Sequence, residues 1–379
     1  MLDPETEEFR AHVARWVDER LAPVAEALDR AGEFPHALFR EFAALGYLGT
    51  LYPESAGGAG VANPNLCFAV LCEELARGSM GFAAAVLMQG STATWTLWRW
   101  GSPALRERYF APALRGEKIA AYAITEPNAG SDAAAVRTRA TRVEGGYVLN
   151  GRKIFTTHGT VADFITVVAT TDPARGLKGL DLFLVDTKSA GFSVSRKLAK
   201  FVIRCSDAAE LVFEDVFVPE ECRLGGGEEG AFLNAYRALT PDRIFTASLA
   251  IGNARAAYDA ALRYAREREQ FGRPIGKFQA VQFKLVDMLA TIEQARAYTY
   301  AVARRADRGE DITREAALAK LIAAEGCHDV CEMALSIFGG YGLTDEFPVQ
   351  RFLRDSYFPI VGGGTSDIMR LVVARRLGL

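Results

Sequence analysis

Apolar residues change their spacing twice along the chain. From Glu5 to about Ala113 the period is helical: Phe9, Val13, Trp16 and Val17 fall at i, i+4, i+7 and i+8 on one face. Phe34-Pro35-His36 opens a second helix, with Leu38, Phe42 and Leu45 as its buried stripe. Pro53 to Pro64 is a glycine-rich loop. Leu66–Ala76 and Phe82–Trp100 read as two long apolar helices. The second carries Met88, Gln89, Thr92, Trp95 and Trp98, a stripe that core packing by itself explains.

From about Gly116 to Pro219 the period drops to two. Ile119–Ile124, Tyr147, Leu149, Ile154, Phe164–Ala169, Leu180–Val185, Phe192–Val194 and Leu211–Phe217 mark strands. Turns such as Glu144-Gly145-Gly146 separate them. Beyond Gly230 the period is helical again, through Tyr258, Leu262 and Ala265, then Phe283, Val286, Leu289 and Ile292, then Ala316–Leu335 and Ile368–Leu377. The order helices, strands, helices predicts an α+β protein. It has an N-terminal helical domain over 1–115, a middle antiparallel β-barrel or sheet domain over 116–222, and a C-terminal helical bundle over 223–379.

Composition narrows the function. The 379 residues are half hydrophobic and carry a net charge of −3, with both signs interspersed. That balance predicts neither a nucleic-acid nor a membrane surface. No apolar run is long enough to span a bilayer, and Met1–Arg10 is acidic and polar, unlike an export leader. We expect a cytoplasmic protein with its cysteines at 67, 72, 205, 222, 327 and 331 reduced. Cys327-His328-x-x-Cys331 has no matching second pair, so it reads as core filling and no metal is expected. Gly225-Gly226-Gly227-Glu228-Glu229-Gly230 matches a dinucleotide-binding pattern only formally. Pro219-Glu220-Glu221 intervenes after the strand, and Glu228 and Glu229 would face the pyrophosphate, so it reads as a loop.

The chemistry gathers at Ala121–Asp132, AYAITEPNAGSD. Pro127, Asn128 and Gly130 end the strand, and Thr125 and Ser131 place hydroxyls on either side of the turn. Such a turn can present N–H groups and hydroxyls to a polar ring edge or a phosphate, or it can simply end a strand. The wording Tyr122-x-x-Thr125-Glu126-Pro127-x-Ala129-Gly130-Ser131-Asp132 resembles the signature of the acyl-CoA dehydrogenase family. Gly151-Arg152-Lys153-Ile154-Phe155-Thr156-Thr157, Arg204-Cys205-Ser206-Asp207 and Phe213-Glu214-Asp215-Val216-x-Val218-Pro219 resemble its next strands. Arg268-Glu269-Gln270-Phe271-Gly272, Phe338-Gly339-Gly340-Tyr341-Gly342, Arg354-Asp355 and Gly364-Thr365-Ser366-Asp367-Ile368 resemble its C-terminal motifs, in order over nearly the whole chain.

The resemblance implies FAD. It places Tyr122, Ile124, Thr125, Gly130 and Ser131 against the flavin, with Phe155 and Thr157 on one strand face beside it. The family usually has tryptophan where this chain has Phe155, so one N–H donor is lost while stacking is kept. Arg268, Gln270, Phe271 and Gln279 would reach the pyrophosphate and adenosine from a neighbouring subunit, which implies a homo-oligomer, a tetramer by family habit. Gly339, Gly340, Thr365 and Asp367 complete the cofactor set, although Ser336 stands where the family commonly has glutamine.

The largest departure is Gly363, where many members carry the catalytic glutamate of a Glu-Gly-Thr motif. A second subgroup places the carboxylate on the long helix, directly before an arginine. That position is Asp242, before Arg243. Thr240-Pro241-Asp242-Arg243 also reads as a helix start, with Thr240 as cap and Asp242 favoured by the helix dipole. The family reading makes Asp242 the base and has Ser131, Arg243, Gly363 and Gly364 contact the thioester. It implies α,β-dehydrogenation of an acyl thioester, branched or cyclic, on CoA or an acyl carrier protein. Electrons would pass to an electron-transferring flavoprotein. A flavin-dependent monooxygenase of the same fold and a non-catalytic flavin-binding protein are the alternatives.

Overall fold

The computed structural model describes residues 2–225 and 231–379. Most of the Gly225–Gly230 stretch therefore lies outside the described residues. Eight helices come first: α1 (Pro4–Trp16), α2 (Ala25–Ala31), α3 (His36–Ala43), α4 (Pro64–Gly78), α5 (Met80–Leu87), α6 (Trp95–Trp100), α7 (Pro103–Leu105) and α8 (Ala111–Leu114). The strands follow as β1 (Ala120–Ala123), β2 (Arg139–Val143), β3 (Gly146–Thr157), β4 (Phe164–Thr170), β5 (Leu180–Asp186), β6 (Phe192–Lys197), β7 (Ala208–Pro219) and β8 (Arg223–Leu224). Then come α9 (Ala231–Ala238), α10 (Asp242–Glu267), a two-residue hairpin of β9 (Glu269–Gln270) and β10 (Arg273–Pro274), α11 (Gln279–Asp307), α12 (Thr313–Phe338), α13 (Val349–Val361) and α14 (Ser366–Arg376).

The sheet runs β6-β7-β3-β2-β4-β5-β8, with β1 also on β4. Its pairs are antiparallel except β1 with β4 and the single β2–β4 contact, which are parallel. The parallel pairing brings the C-terminal end of β1, and the turn that follows it, alongside the β3 turn region. β2, whose exposed residues gave little alternation, was not foreseen.

Helices α1, α3, α4 and α5 share one apolar core with α10 to α13, while α6 to α9 pack with the sheet. Phe68 of α4 meets Phe245 of α10 edge-on with ring centroids 4.7 Å apart. A side-chain carbon at Gly252 would lie 2.0 Å from the Glu73 carbonyl, so only glycine lets α10 approach α4 this closely. Glu73 in turn accepts from Arg255 at 2.7 Å, Arg296 at 3.0 Å and the Tyr300 hydroxyl at 2.8 Å, which pins α4 to α10 and α11.

Four local expectations change. Phe82–Trp100 is not one helix: α5 gives way to a π-helical turn at Met88–Thr92 before α6. The Gln89 side chain holds this turn to the barrel, donating to the Ala113 and Lys118 carbonyls and accepting from the Ala120 N–H, each at 2.9 Å. Leu45 lies past the end of α3 and is exposed; Phe39 takes the buried place beside Phe42. On α11 three of the four predicted stripe residues are turned outward: Phe283, Val286 and Leu289 are exposed, while Ile292 is buried with Leu285 and Met288. Thr240 does not cap α10, which begins after Pro241 with no side-chain cap.

Candidate active site

The turn after β1 is fixed from within. Glu126 and Ala129 exchange backbone hydrogen bonds at 2.9 and 3.1 Å, closing the Pro127-Asn128 corner. The Glu126 carboxylate accepts from the N–H groups of Arg137 and Thr138 at 2.8 Å each. It also pairs with Lys153 at 2.8 Å, and Lys153 donates to the Ile124 carbonyl at the same distance. Lys153 is 0% exposed. Burial lowers its pKa to about 8 against the pull of Glu126. Burial pushes the Glu126 carboxyl up, but the Lys153 ammonium and the hydrogen bonds from Thr138 and Arg137 together outweigh it and leave Glu126 below the ordinary carboxylate range. The pair thus locks Ile124 and Thr125 while Gly130 and Ser131 stay exposed. Gly130 does not use a left-handed backbone; its contribution is open space, with no atom within 4 Å of where a side-chain carbon would stand.

β3 reaches the same place through a bulge. Its register against β7 shifts between Lys153 and Thr156, and Phe155 takes φ +57°. The simple two-apart alternation expected for Phe155 and Thr157 therefore does not apply. The bulge still buries Thr156 while Thr157 stays half-buried and Phe155 is 65% exposed. A large ring held out at a strained backbone position is a stacking platform in search of a flat partner.

Asp242 opens α10 against the π-helical turn. Its two carboxylate oxygens accept from Ser91 Oγ at 2.5 Å and Thr92 Oγ1 at 2.7 Å. Each oxygen keeps acceptor capacity. Burial is the main influence and raises its pKa to about 6, against the two hydroxyls and the charge of Arg243. Burial, with a smaller contribution from the Asp242 charge, also raises the Tyr122 phenol on β1. Arg243 is 7% exposed; its Nη2 donates to the Tyr236 hydroxyl at 3.2 Å, and its Nη1 has no partner among the described residues.

Gly363 and Gly364 follow α13 with φ +66° and +96°. A side-chain carbon at Gly363 would stand 3.6 Å from Thr246 Oγ1 and 3.9 Å from Lys320 Cε, so there is room beside it. Thr365 caps α14, its hydroxyl oxygen accepting from the Ile368 N–H at 3.2 Å, and Asp367 is exposed beside Arg370.

The remaining predicted residues form a second group. Arg268 ends α10 with its guanidinium 5.6 Å from the Tyr341 ring. Gln270 and Phe271 line a groove of about 310 Å³ with Ile275, Phe278, Lys284 and Ser336. Phe271 is 94% exposed at φ +53°. Gln279 opens α11, and Gly339 and Gly340 are exposed with empty space on their side-chain side. No hydrogen bond or ring contact among the described residues links this group to the Thr125–Ser131 turn. Glu126, Lys153 and Lys320 went unforeseen as site residues; the visible signal was a charge at an inward position, as in Ala316–Ala324, where Lys320 interrupts a run of small apolar residues.

The exposed Phe155 ring, the open ground over Gly130, Gly339 and Gly340, and the donors around Thr125 fit a flat dinucleotide such as FAD. Comparison with known proteins agrees. Residues 3–117, 121–216 and 232–378 match the acyl-CoA dehydrogenase N-terminal, middle and C-terminal domains. The benzylmalonyl-CoA dehydrogenase of Aromatoleum aromaticum is 46% identical over 96% of this chain and 95% of its own. The mitochondrial 2-methylacyl-CoA dehydrogenase of Solanum tuberosum is 38% identical over 100% of this chain and 91% of its own. The solved butyryl-CoA dehydrogenase of Megasphaera elsdenii superposes with a TM-score of 0.96 at 35% identity, over 100% of this chain and 99% of that one.

The chain belongs to the acyl-CoA dehydrogenase family. It is an FAD-dependent oxidoreductase that dehydrogenates the CH–CH bond of an acyl-CoA, and the relatives do not favour the monooxygenase alternative. None of its described helices is long and apolar enough to cross a membrane.

Proposed function

We propose that Asp242 is the base that removes the α-proton of an acyl-CoA substituted at C2. One observation carries this: Asp242 has both oxygens oriented by Ser91 and Thr92, with its pKa raised to about 6 by burial. An ordinary helix-start acid would lie in solvent with an unperturbed pKa. The N–H of Gly363 polarises the thioester carbonyl and makes the α-proton more acidic. Ser131 and Arg243 contact the thioester arm. FAD, when bound, supplies the oxidant for the β-hydride. Thr125, Ser131, Phe155 and Thr157 would hold its flavin, and Arg268, Gln270, Phe271, Gln279, Gly339 and Gly340 of a second copy of the chain would hold its adenosine end. Electrons leave to an electron-transferring flavoprotein.

Substrate class follows from what is missing at 363. Glycine there leaves space near Thr246, and aspartate at 242 reaches about 1.5 Å less far than glutamate, one carbon–carbon bond. An acyl group whose C2 is displaced toward α10 by a branch fills both gaps. The names of the benzylmalonyl and 2-methylacyl relatives both describe C2-substituted acyl groups. The test is anaerobic flavin bleaching by a panel of straight, C2-branched and arylalkyl acyl-CoAs, with one acyl carrier protein thioester. C2-branched members should bleach fastest; a clear preference for straight chains would overturn the substrate class.

The pH profile gives an independent check. Asp242 must be ionised to accept the proton, and its folded pKa lies above the ordinary value. The second-order rate of flavin reduction should therefore fall as pH drops through about 6 and level off above it. A break near the ordinary carboxylate range, about 4, would mean that the titrating base is not this buried carboxylate.

The outward stripe of Phe283, Val286 and Leu289, beside the exposed Phe271, supports a closed homo-oligomer, a tetramer on the family pattern. Arg268→Ala should retain the assembly but lose FAD on gel filtration, since a bidentate phosphate contact is removed. An FAD-replete monomer in sedimentation would refute the shared site.

A further inference from the structure

α13 ends in an unusual way. Gly362 donates to the Phe358 carbonyl at 2.7 Å, as a continuing helix would. Gly362 then leaves the helix with an extended backbone, ψ 146°, which turns the next N–H, of Gly363, away from the Pro359 carbonyl that a continuing helix would offer it. That N–H has no acceptor among the described residues. The Pro359 carbonyl is occupied instead by Lys320 Nζ, at 2.8 Å. The same ammonium also donates to the Gly364 carbonyl. Lys320 therefore grips the chain on both sides of Gly363.

The cost of this arrangement is high. Lys320 is 0% exposed, lies among Ala316, Ala317, Ala319, Ala323 and Ala324, and has no carboxylate partner among the described residues. Burial, with the nearby charge of Arg243, lowers its pKa to about 7. A helix C-terminus can be capped far more cheaply by glycine alone, and glycines are already present at 362, 363 and 364. Capping does not explain a buried cation. A free N–H held in a fixed direction, with positive charge behind it, does.

We propose that Lys320 is a positioning residue for the dehydrogenation: by holding the Pro359 and Gly364 carbonyls it fixes the turn on both sides of Gly363, so that the Gly363 N–H keeps one direction and is free to receive the thioester carbonyl. The proposal rests on the reading above that this N–H receives that carbonyl. Lys320 does not touch substrate. It acts through the turn, by tying the carbonyls on either side of Gly363 to one ammonium. Without it, the turn would loosen and the Gly363 N–H would lose its fixed direction. The same logic explains why position 363 tolerates glycine here: its contribution is main-chain, and the proton-accepting side chain comes from α10.

The test uses the FAD-loaded oligomer and cinnamoyl-CoA labelled isotopically at the thioester carbon. Difference infrared spectra against unlabelled ligand isolate the carbonyl stretch of the bound thioester. In the wild type this band should lie below its position in water, reporting polarisation. In Lys320→Met it should return at least half of the way, and flavin reduction should fall by about 100-fold, as for loss of one oxyanion donor, with ligand affinity little changed. Lys320→Gln, which keeps donors for the two carbonyls but no charge, should lie between the two and serves if Lys320→Met fails to fold. A wild-type band at its water position overturns the Gly363 reading and this proposal with it. A wild-type displacement that survives in the folded variants overturns the role of Lys320 alone, and a drop in thermal midpoint with no band movement does the same.

Discussion

Asp242→Asn is expected to lower the rate of anaerobic flavin reduction by at least ~100-fold, the low end for loss of a positioned base. The variant should still fold, bind FAD and bind acyl-CoA. Asparagine is nearly isosteric, and the hydroxyls of Ser91 and Thr92 can rotate to donate to its oxygen and accept from its nitrogen. Stability should move in the opposite direction to activity. The folded pKa of Asp242, about 6, lies above its ordinary value of 3.8, so folding favours the protonated form. That contribution is complete below 3.8 and is lost as pH rises through about 6. At pH near 7 the wild type therefore carries a buried charge that the Asp242→Asn variant lacks, and the variant should be more stable by roughly 1–3 kcal/mol. Lower activity with a higher thermal midpoint is the signature of a group kept for chemistry. Wild-type reduction rates in the variant, with its best substrate, would return Asp242 to the status of a helix residue. Adding Gly363→Glu to that variant should restore little. The position has room, but its φ of +66° disfavours any side chain by ~1–2 kcal/mol.

The second large effect is expected at Lys153. Lys153→Met leaves Glu126 buried, charged and unpaired, and removing one partner of such a pair costs about 3–5 kcal/mol. The loss should be local in its consequence, because Glu126 organises the N–H groups of Arg137 and Thr138 and Lys153 holds the Ile124 carbonyl. FAD should dissociate during purification, and the thermal midpoint should fall. Glu126→Leu in the same chain removes the stranded charge, and the double variant should regain part of the stability but not the cofactor. That pattern separates a structural lock from a cofactor platform. Additive losses in both readouts would show that the two residues do not act as a pair.

The sequence by itself determined the alternation of helical and strand segments, because period and turn chemistry are local properties. It also located the Thr125–Ser131 turn, the glycine vacancy at 363 and a carboxylate at 242, through wording shared with a family. What it left open at Asp242 was a choice between a solvated helix start and a buried base. The tertiary structure supplied the deciding surroundings by bringing the π-helical turn of residues 88–92 onto the start of α10, so that Ser91 and Thr92, 151 and 150 positions away, meet the carboxylate. Residue spacing cannot show that turn, because a single inserted residue in a short helical segment leaves no periodic signature of its own. The bulge that turns out Phe155 was hidden for a similar reason: its left-handed φ falls on a residue that carries no local signal for it. The outward face of α11 was misread because an apolar stripe looks the same whether it meets its own core or another copy of the chain. Lys320 was legible only as an oddity, a charge in an alanine-rich run. Its partners lie 39 and 44 residues further on, and only the fold decides that a buried ammonium meets two carbonyls there, on either side of Gly363.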